Sequence, residues 1–509
     1  MNHVLCGLAA NTALPSELVD RLIAVADADI AWHLADRADL SRAQALALTS
    51  RVEESAAWLA YAGRLTPADI DPSEQPDAAL SLLAKDVGCP EWARLLATDP
   101  VPERRKKLAA CPGLPPDVVR TLSTDPAVRV VAELASATTP AVTAELAAHP
   151  HVEVRRAVAS NEATPPAVLA ALLTGEGLPP AQWCLVCERH RTTAVDQRQH
   201  PLPDHVPLPD ARCDGAHESA VHDIRQMTLS NPATPADAVT RFADHPSALL
   251  RWALATRTDL SSRVYERLAV DPDPCVRADL AQNPALEDDL IRLLADDHEH
   301  GVRRDLAHHP RVPLDVLVRL AAGNTRLGPT VLPRIAAAST AEVEELAQSR
   351  DPAARKLVAQ RRDLPARIRQ ALAADPDAKV VKAIAPHPGL SEAQLRAMVD
   401  RHGVRVVAKV AANPDASPTL LEDLTRYQPP VRKALREIAR HPRATVAALR
   451  TCLTDPQARP LAAGHPALPP HDIVELIADT DWQVVEAATS NSSLPLAVMS
   501  DLIAQRCSQ

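Results

Sequence analysis

The sequence is poor in aromatic residues and in glycine. Aromatic side chains make up 2% of its 509 residues, and 13 residues are glycine. So few glycines leave little material for loops that cradle phosphates, and neither G-x-x-x-x-G-K-[ST] nor G-x-G-x-x-G occurs. The G-x-S-x-G turn of hydrolases is absent as well. We therefore expect a non-enzymatic protein, although an active site assembled from distant parts of the chain stays open.

Long apolar runs are also missing. No stretch reaches 18 uninterrupted apolar residues, which argues against a transmembrane helix. The first ten residues, MNHVLCGLAA, lack the basic start of a secretory signal. The nine cysteines are an odd number and mostly isolated, which favours a reducing compartment over a disulfide scaffold. These features predict a cytoplasmic protein with no membrane association.

Proline is abundant, with 47 residues, and it recurs in phase with leucine and alanine. The clearest register is 26 residues, seen in Arg225, Arg251, Arg277 and Arg303. A second phase carries proline, commonly after Asn or His, as in Asn283-Pro284. Prolines in such a register punctuate short helices and do not prevent them. We expect the in-phase arginines to pair with neighbouring carboxylates or helix C-termini and to set the repeat register.

One repeat, from Asp273 to His298, illustrates the expected unit. Asp273 can cap a helix that starts at Pro274, and Val276, Leu280 and Ala281 give that helix one apolar face. Asn283-Pro284 ends it. A second helix follows with acidic residues near its start, and helical spacing predicts that Leu286, Leu290, Leu293 and Leu294 are buried. Neither helix can bury its apolar stripe alone, so neighbouring units must stack.

The pattern predicts an all-α solenoid of about 18 short helix pairs, roughly 24–26 residues each. It covers 1–174 and 223–509 and is interrupted at 175–222. Segments such as DPDPCVRADLAQNPALEDDLIRLLADD and HGVRVVAKVAANPDASPTLLEDLTRY resemble bacterial leucine-rich repeat variant proteins and, more broadly, HEAT-type solenoids. The resemblance implies a right-handed superhelix of paired short helices. Some members carry a cysteine-rich iron–sulfur module at the N-terminus, but here Cys6 stands alone there, so no cluster is inferred.

The interruption contains a pattern of cysteines and histidines typical of metal sites. Cys184, Cys187, Cys213 and His217 form C-x2-C-x25-C-x3-H, a ligand set that tetrahedral zinc prefers. His222 is the most plausible substitute for His217. We expect one structural Zn²⁺ that holds the insertion together. Reduced metal-free cysteines, an iron–sulfur cluster or redox pair, and a catalytic zinc remain as alternatives.

The net charge of −10 is distributed unevenly along the chain. Residues 1–100 contain 7 Lys plus Arg and 15 Asp plus Glu, whereas residues 351–450 contain 19 and 10. Among the basic residues of the second segment, Arg361, Arg362, Arg432 and Lys433 are our candidates for binding an anion or a partner. Ordinary solvated helix surfaces would give the same composition.

The sequence therefore predicts a scaffold or adaptor that binds a still unidentified protein partner through many modest contacts. The alternative is a nucleic-acid-associated solenoid that uses the 351–450 segment for backbone contacts. Base stacking is not expected, because Tyr427 is the only aromatic residue of that segment. A HEAT-like DNA glycosylase is a more distant alternative, since no motif places the residues it would need.

Overall fold

The computed structural model describes residues 2–184, 218–323, 325, 327–328 and 330–507. In these ranges the regular secondary structure is helical apart from one parallel β-bridge between His151 and Trp183. The chain divides into two compact units, which comprise residues 1–70 with 321–509 (unit 1) and residues 71–320 (unit 2). Cys187, Cys213 and His217 lie outside the described residues.

The helices of unit 1 come from both ends of the sequence. The N-terminal part has α1 Asn2–Ala10, α2 Ser16–Ala24, α3 Ala28–Ala35, α4 Arg42–Arg51, α5 Ser55–Tyr61 and a 3₁₀ turn Pro67–Asp69. Numbered after the helices of unit 2, the C-terminal part has α22 Pro333–Ala336, α23 Thr340–Gln348, α24 Pro352–Val358, α25 Ala366–Ala373, α26 Ala378–Ile384, α27 Glu392–His402, a 3₁₀ turn Gly403–Arg405, α28 Val407–Ala411, α29 Pro418–Thr425, α30 Arg432–Arg440, α31 Val446–Cys452, α32 Arg459–Ala463, α33 Pro470–Leu476, α34 Trp482–Ser490 and α35 Leu496–Cys507.

Unit 2 is built from the same kind of short helix. Its helices are α6 Pro76–Leu83, α7 Pro90–Leu96, α8 Pro102–Ala109, α9 Pro116–Ser123, α10 Val128–Ala137, α11 Pro140–Leu146, α12 Val152–Ser160, α13 Pro166–Thr174, α14 Glu218–Ser230, α15 Ala236–Thr240, a 3₁₀ turn Arg241–Asp244, α16 Ala248–Ala255, α17 Ser262–Ala269, α18 Pro274–Ala281, α19 Asp288–Ala295, α20 His300–Leu306 and α21 Leu314–Ala322. The predicted all-α solenoid of stacked helix pairs is confirmed. The division at 174/175 and 222/223 and the right-handed superhelix stay predictions.

The unit at Asp273 forms largely as its sequence predicts. The Asp273 carboxylate caps α18 by accepting from the Cys275 N–H at 2.8 Å, and Val276, Leu280 and Ala281 are buried. The prediction for α19 is wrong at one position, because Leu293 is 49% exposed and Ile291 is buried in the core. Helix α19 is rotated so that Ile291, Leu294 and Ala295 face the neighbouring helices.

In each unit the helices stack in rows. The first helix of each pair packs on the first helix of the next, which in unit 1 gives the sequence α24, α26, α28, α30, α32, α34, α1, α3 and α5. We call this arrangement the first-helix row. The second helices pack behind it, as α2 does on α4 and α35. Leu, Val, Ile and Ala fill the thin layer between the helices, which explains how the protein folds with few aromatic residues.

A line of side-chain hydrogen bonds links successive repeats. The Asn283 side-chain amide donates to the carbonyls of Ala255 and Arg257 at 2.7 and 2.5 Å, and His309 donates to the Asn283 carbonyl at 2.8 Å. We call the residues at this position ladder residues. In unit 1 they are Arg361, His387, Asn413, His441, His465, Asn491, Asn11 and Arg37. In unit 2 they include Asn161, Asn231, Arg257, Asn283 and His309.

Two of the in-phase arginines, Arg251 and Arg277, pair with aspartates of the next repeat, whereas Arg303 donates to the backbone carbonyl of Asp297. Arg277 Nε lies 2.6 Å from Asp297, and both side chains are 6% exposed. The same pairing, 20 residues along the chain, joins Arg105 to Asp125, Arg251 to Asp271 and Arg355 to Asp375. Each aspartate also accepts a backbone N–H two residues on, as Asp297 does from Glu299. These contacts fix each first helix against the turn of the following repeat.

The first repeat of the chain stacks on the last one within unit 1. Helix α1 packs on α34, and the Asn11 amide donates to the carbonyls of Thr489 and Asn491 at 3.0 and 2.8 Å. In the second-helix row, Arg21 of α2 donates to the Ser500 hydroxyl of α35 at 3.1 Å. The contact between α1 and α34 therefore repeats the contact that joins consecutive repeats elsewhere. We call it the terminal seam.

Candidate functional site

Two of the five predicted metal ligands lie within the described residues. Cys184 is buried in a cluster that includes Val152, Val158 and Ile224, so the start of the insertion is held against the solenoid. His222 lies on α14, where its Nε2 is 2.6 Å from the Ser247 hydroxyl. Among the described residues, no group of three or more His, Cys, Asp or Glu side chains is placed to bind a metal ion. The zinc site therefore stays a prediction.

The four predicted anion-binding cations occupy different environments. Arg361 is a ladder residue, and its guanidinium donates to the carbonyls of Ile335 and Ala338 and to Asp363. Its donors are engaged inside the unit, which favours a structural role. Arg362 is exposed in the turn after α24. On α30, Arg432 is exposed and lies 3.7 Å from Asp455.

Lys433, the fourth candidate, belongs to a larger group on one face of unit 1. We call this group the cationic face; it consists of Lys356, Lys379, Lys382, Arg405, Lys409, Lys433, Arg436 and Arg440 on or beside α24, α26, α28 and α30. Two of these residues lie five positions before a ladder residue: Lys382 and Arg436. Three others lie eight positions before one: Lys379, Arg405 and Lys433. Positions three residues apart share one side of a helix. These side chains therefore lie on equivalent sides of successive first helices.

The cations of this face are free of ion pairs. In the fully described segment 351–450, none of the eight side chains forms a salt bridge, whereas second-helix arginines do, as in Arg367–Glu344 and Arg396–Asp423. Burial lowers the pKa of Lys356, and the nearby ammonium groups of Lys379 and Lys382 lower it further. The two ammonium groups repel the Lys356 charge, and the Asp377 carboxylate offsets part of this repulsion without forming a salt bridge to any of the eight cations.

The cationic face ends at a groove of about 610 Å³. Arg436 and Arg440 of α30 line one wall, and Trp482 and Glu486 of α34 line the other. The floor includes Pro460 and Leu461 of α32, and Ala10 of α1 closes one end across the terminal seam. Grooves of this volume are large enough to take a side chain or a small ligand.

Trp482 carries the aromatic surface of the groove. This residue is 51% exposed, and the His3 ring of α1 contacts the indole with centroids 4.7 Å apart and an angle of 31° between the ring planes. Nδ1 of His3 lies 3.4 Å from Glu486. Sequence reasoning missed Trp482 because it lies outside the 351–450 segment. Aligning the repeats on the Asn or His that ends each first helix could have found it, since Arg432 and Trp482 precede His441 and Asn491 by nine positions.

Comparisons with known proteins give distant matches among solved structures. No protein-family model and no curated protein matches the chain. Among solved structures, an engineered protein is similar at 14% identity over 82% of this chain and 94% of its own, with a TM-score of 0.15. A chain of the Pds5–Scc1 complex is similar at 13% identity over 96% of this chain and 68% of its own, with a TM-score of 0.16. With TM-scores this low, neither superposes on this chain as a whole.

One further finding concerns membranes. Within the described ranges, every helix is too short or too polar to cross a lipid bilayer.

Proposed function

We propose that this protein is a non-enzymatic scaffold that binds an acidic protein partner on its cationic face. The observation that carries this proposal is the set of unpaired cations on consecutive first helices of unit 1. A surface of this kind attracts a negatively charged partner over a distance of about 8–10 Å in physiological salt and gains from many modest contacts. The solenoid supplies the rigid spacing between these contacts.

A partner with a limited acidic segment fits this surface better than a long polyanion does. From the far wall of the groove onward the first-helix row carries carboxylates, with Glu486 on α34, Asp29 on α3 and Asp36 directly after α3. A nucleic acid that continued along the row would meet these carboxylates. Nucleic-acid binding is the second candidate, and the exposed Trp482 beside two arginines favours it because bases stack on aromatic side chains.

Binding of two fluorescent probes tests the proposal: a peptide of twenty glutamates and single-stranded dT20. We expect the wild-type protein to prefer the peptide. Changing Lys382, Lys409, Lys433 and Arg436 to Gln should weaken peptide binding by about tenfold or more. The control changes Arg367, Arg401, Arg426 and Arg450 to Gln, which removes the same charge from second helices and should leave the affinity within about twofold.

Either of two results would contradict the proposal. Tighter binding of dT20 than of the peptide at equal salt would favour the nucleic-acid alternative, whose affinity should fall steeply as salt is raised. Equal losses in the face variant and in the control would show that net charge, and not the cationic face, governs binding.

The insertion at 175–222 has a separate proposed role. We propose that Cys184, Cys187, Cys213 and His217, with His222 as a substitute, hold one structural Zn²⁺. The ligand spacing supports this assignment. The sequence segments quoted above also support membership of the bacterial leucine-rich repeat variant proteins, and the isolated cysteines support a cytoplasmic location.

A further inference from the structure

The groove lies over a first helix that is much shorter than its two neighbours. Helix α32 spans five residues, whereas α30 and α34 span nine each. Pro460 lies in its first turn, and Gly464 follows its last residue. At the position where α30 carries Arg440, α32 has Gly464, which contributes no side chain to the space between α30 and α34. The floor of this space is apolar, with Pro460 and Leu461 half-buried.

The two walls of the groove differ in charge. Arg436 and Arg440 lie one helical turn apart on α30 and form no ion pair in the described chain. The carboxylate of Glu486 on the opposite wall faces His3 at 3.4 Å. A ligand that enters the groove along α30 therefore meets two guanidinium groups, which are well suited to bind carboxylates.

Trp482 provides a rigid apolar surface opposite these arginines. The His3 ring supports the indole from the α1 side, so the indole is held in place before a ligand binds. About half of the side chain remains open to solvent. Pre-positioned tryptophan and arginine side chains are the residues that most often dominate the energy of protein interfaces.

We propose that this groove is an anchor site for one aromatic side chain of an acidic polypeptide segment. The aromatic ring packs between Trp482 and the Pro460–Leu461 floor, and flanking carboxylates bind Arg436 and Arg440. Charge complementarity and the apolar floor together select this occupant. This inference rests on the proposed function. The spread charges of the cationic face do not by themselves fix where along the row a partner binds, and the anchor site would fix that position.

The terminal seam is part of the anchor site. Ala10 closes the groove and His3 supports Trp482, and both residues belong to α1. The remaining lining residues belong to helices near the C-terminal end of the chain. The anchor site is thus formed by two parts of the sequence that meet because the first repeat stacks on the last.

Three fluorescent probes of nine units test the anchor: the peptides EEEEFEEEE and EEEESEEEE, and dT9. We expect the phenylalanine peptide to bind the wild-type protein at least about tenfold more tightly than the serine peptide. Trp482→Ala should abolish this ratio. Trp32→Ala is the matched control, because Trp32 is also exposed on the first-helix row but does not line the groove, and it should preserve the ratio.

A second variant separates the anchor from the charges. In Arg436→Gln/Arg440→Gln both peptides should bind more weakly, while the phenylalanine peptide keeps its advantage. Equal binding of the two peptides to the wild-type protein would overturn the anchor and leave the proposed function standing. If dT9 binds more tightly than either peptide, both proposals fall, and a loss of that dT9 binding in Trp482→Ala would identify the groove as a base-stacking site.

Discussion

At the residue scale, Asn, His and Arg all occur at the ladder position because each of these side chains can donate a hydrogen bond to the preceding repeat. Most Asn and His ladder residues also accept the backbone N–H two residues on, as Asn283 does from Ala285 and His309 from Arg311; at His387 the Gly389 N–H donates to Asp415 instead. Arginine cannot accept, so it occurs together with an aspartate two residues later, as in Arg257 and Asp259. The sequence contained this signal as the recurring pairs Asn-Pro, His-Pro and Arg-x-Asp, but we interpreted the first two simply as helix ends.

Two histidine ladder residues, His309 and His465, must be neutral in the folded protein. Nε2 of His465 faces the His441 carbonyl at 3.1 Å, which can only accept, and Nδ1 faces the Ala467 N–H at 3.1 Å, which can only donate. His309 has the same two kinds of partner. A proton added to Nδ1 would therefore point at an N–H group. Burial lowers the pKa of both imidazoles below the usual 6.5.

This geometry predicts a loss of stability in weak acid. A histidine with a lowered folded pKa contributes its full stability above the unfolded pKa of 6.5 and loses it as the pH falls below that value. Each unit of lowering corresponds to about 1.4 kcal/mol. Replacing His309 and His465 with Asn, which serves at other ladder positions, should reduce this loss. Urea unfolding between about pH 7.5 and 5 measures it.

Other ionisable groups contribute equally to the pH dependence of stability in the wild-type protein and in the variant. The difference between the two plots of unfolding free energy against pH therefore gives the contribution of the two histidines. The control replaces His298 and His471, whose rings are largely exposed, with Asn and should follow the wild-type curve. A double variant at His309 and His465 that loses as much stability in acid as the wild-type protein does would contradict the neutral-histidine assignment.

At the scale of elements, the insertion leaves the stacking of its neighbours intact. Helix α14 packs on α12, and Asn231 donates to the Asn161 carbonyl although the two are 70 residues apart. The Val152 N–H donates to the Trp183 carbonyl at 3.0 Å, which fixes the start of the insertion beside α12. The insertion therefore occupies one connection between repeats without changing their register.

The proposed zinc site predicts a specific metal content. Purified protein should contain one zinc per chain, and Cys187→Ser should lose it because a structural site with three protein ligands binds zinc far more weakly. Cys275→Ser is the control, since Cys275 is exposed on α18 far from the insertion in sequence. Elemental analysis decides the question. Wild-type protein with neither zinc nor iron would refute a metal site, and iron in place of zinc would support the cluster alternative.

At the scale of the whole molecule, the terminal seam joins residues that are 480 positions apart in the sequence, Asn11 and Asn491. Gly7 of α1 lies directly against α34, where an added Cβ would be 2.5 Å from the Glu486 carbonyl oxygen and would also clash with the Thr489 hydroxyl. Glycine is required here because backbone and side chain approach too closely for any other residue. The N-terminal repeats thus pack on the C-terminal repeats with the closeness of a protein interior.

Gly7→Ala should therefore open or strain the seam and lower the free energy of unfolding by about 1–3 kcal/mol. The matched control is Gly301→Ala in α20, where an added Cβ meets nothing within 4 Å, and alanine should there be neutral or slightly stabilising. Urea unfolding measures the stability, and faster hydrogen exchange in α1 and α34 would locate the change. Equal stability of the two variants would contradict the close packing of the seam.

The sequence by itself determined the repeat, its helix pairs, the Asp273 cap and the pairing of in-phase arginines such as Arg277 with a neighbouring carboxylate. These features depend on contacts within one repeat or between adjacent ones, and they leave a periodic pattern in the residues. The prediction that Leu293 is buried was wrong, because the spacing of leucines along the chain does not by itself fix the rotation of α19 about its axis.

The tertiary structure decided which residues form a surface together. It placed Arg361 inside the ladder, gathered Lys382, Lys409 and Arg436 on one face, and brought Trp482 opposite the groove arginines. It also joined Asn11 to Asn491, a contact that no periodicity within the sequence reveals. Side chains of the same type differ in role because stacking gives some of them backbone partners and leaves others in solvent.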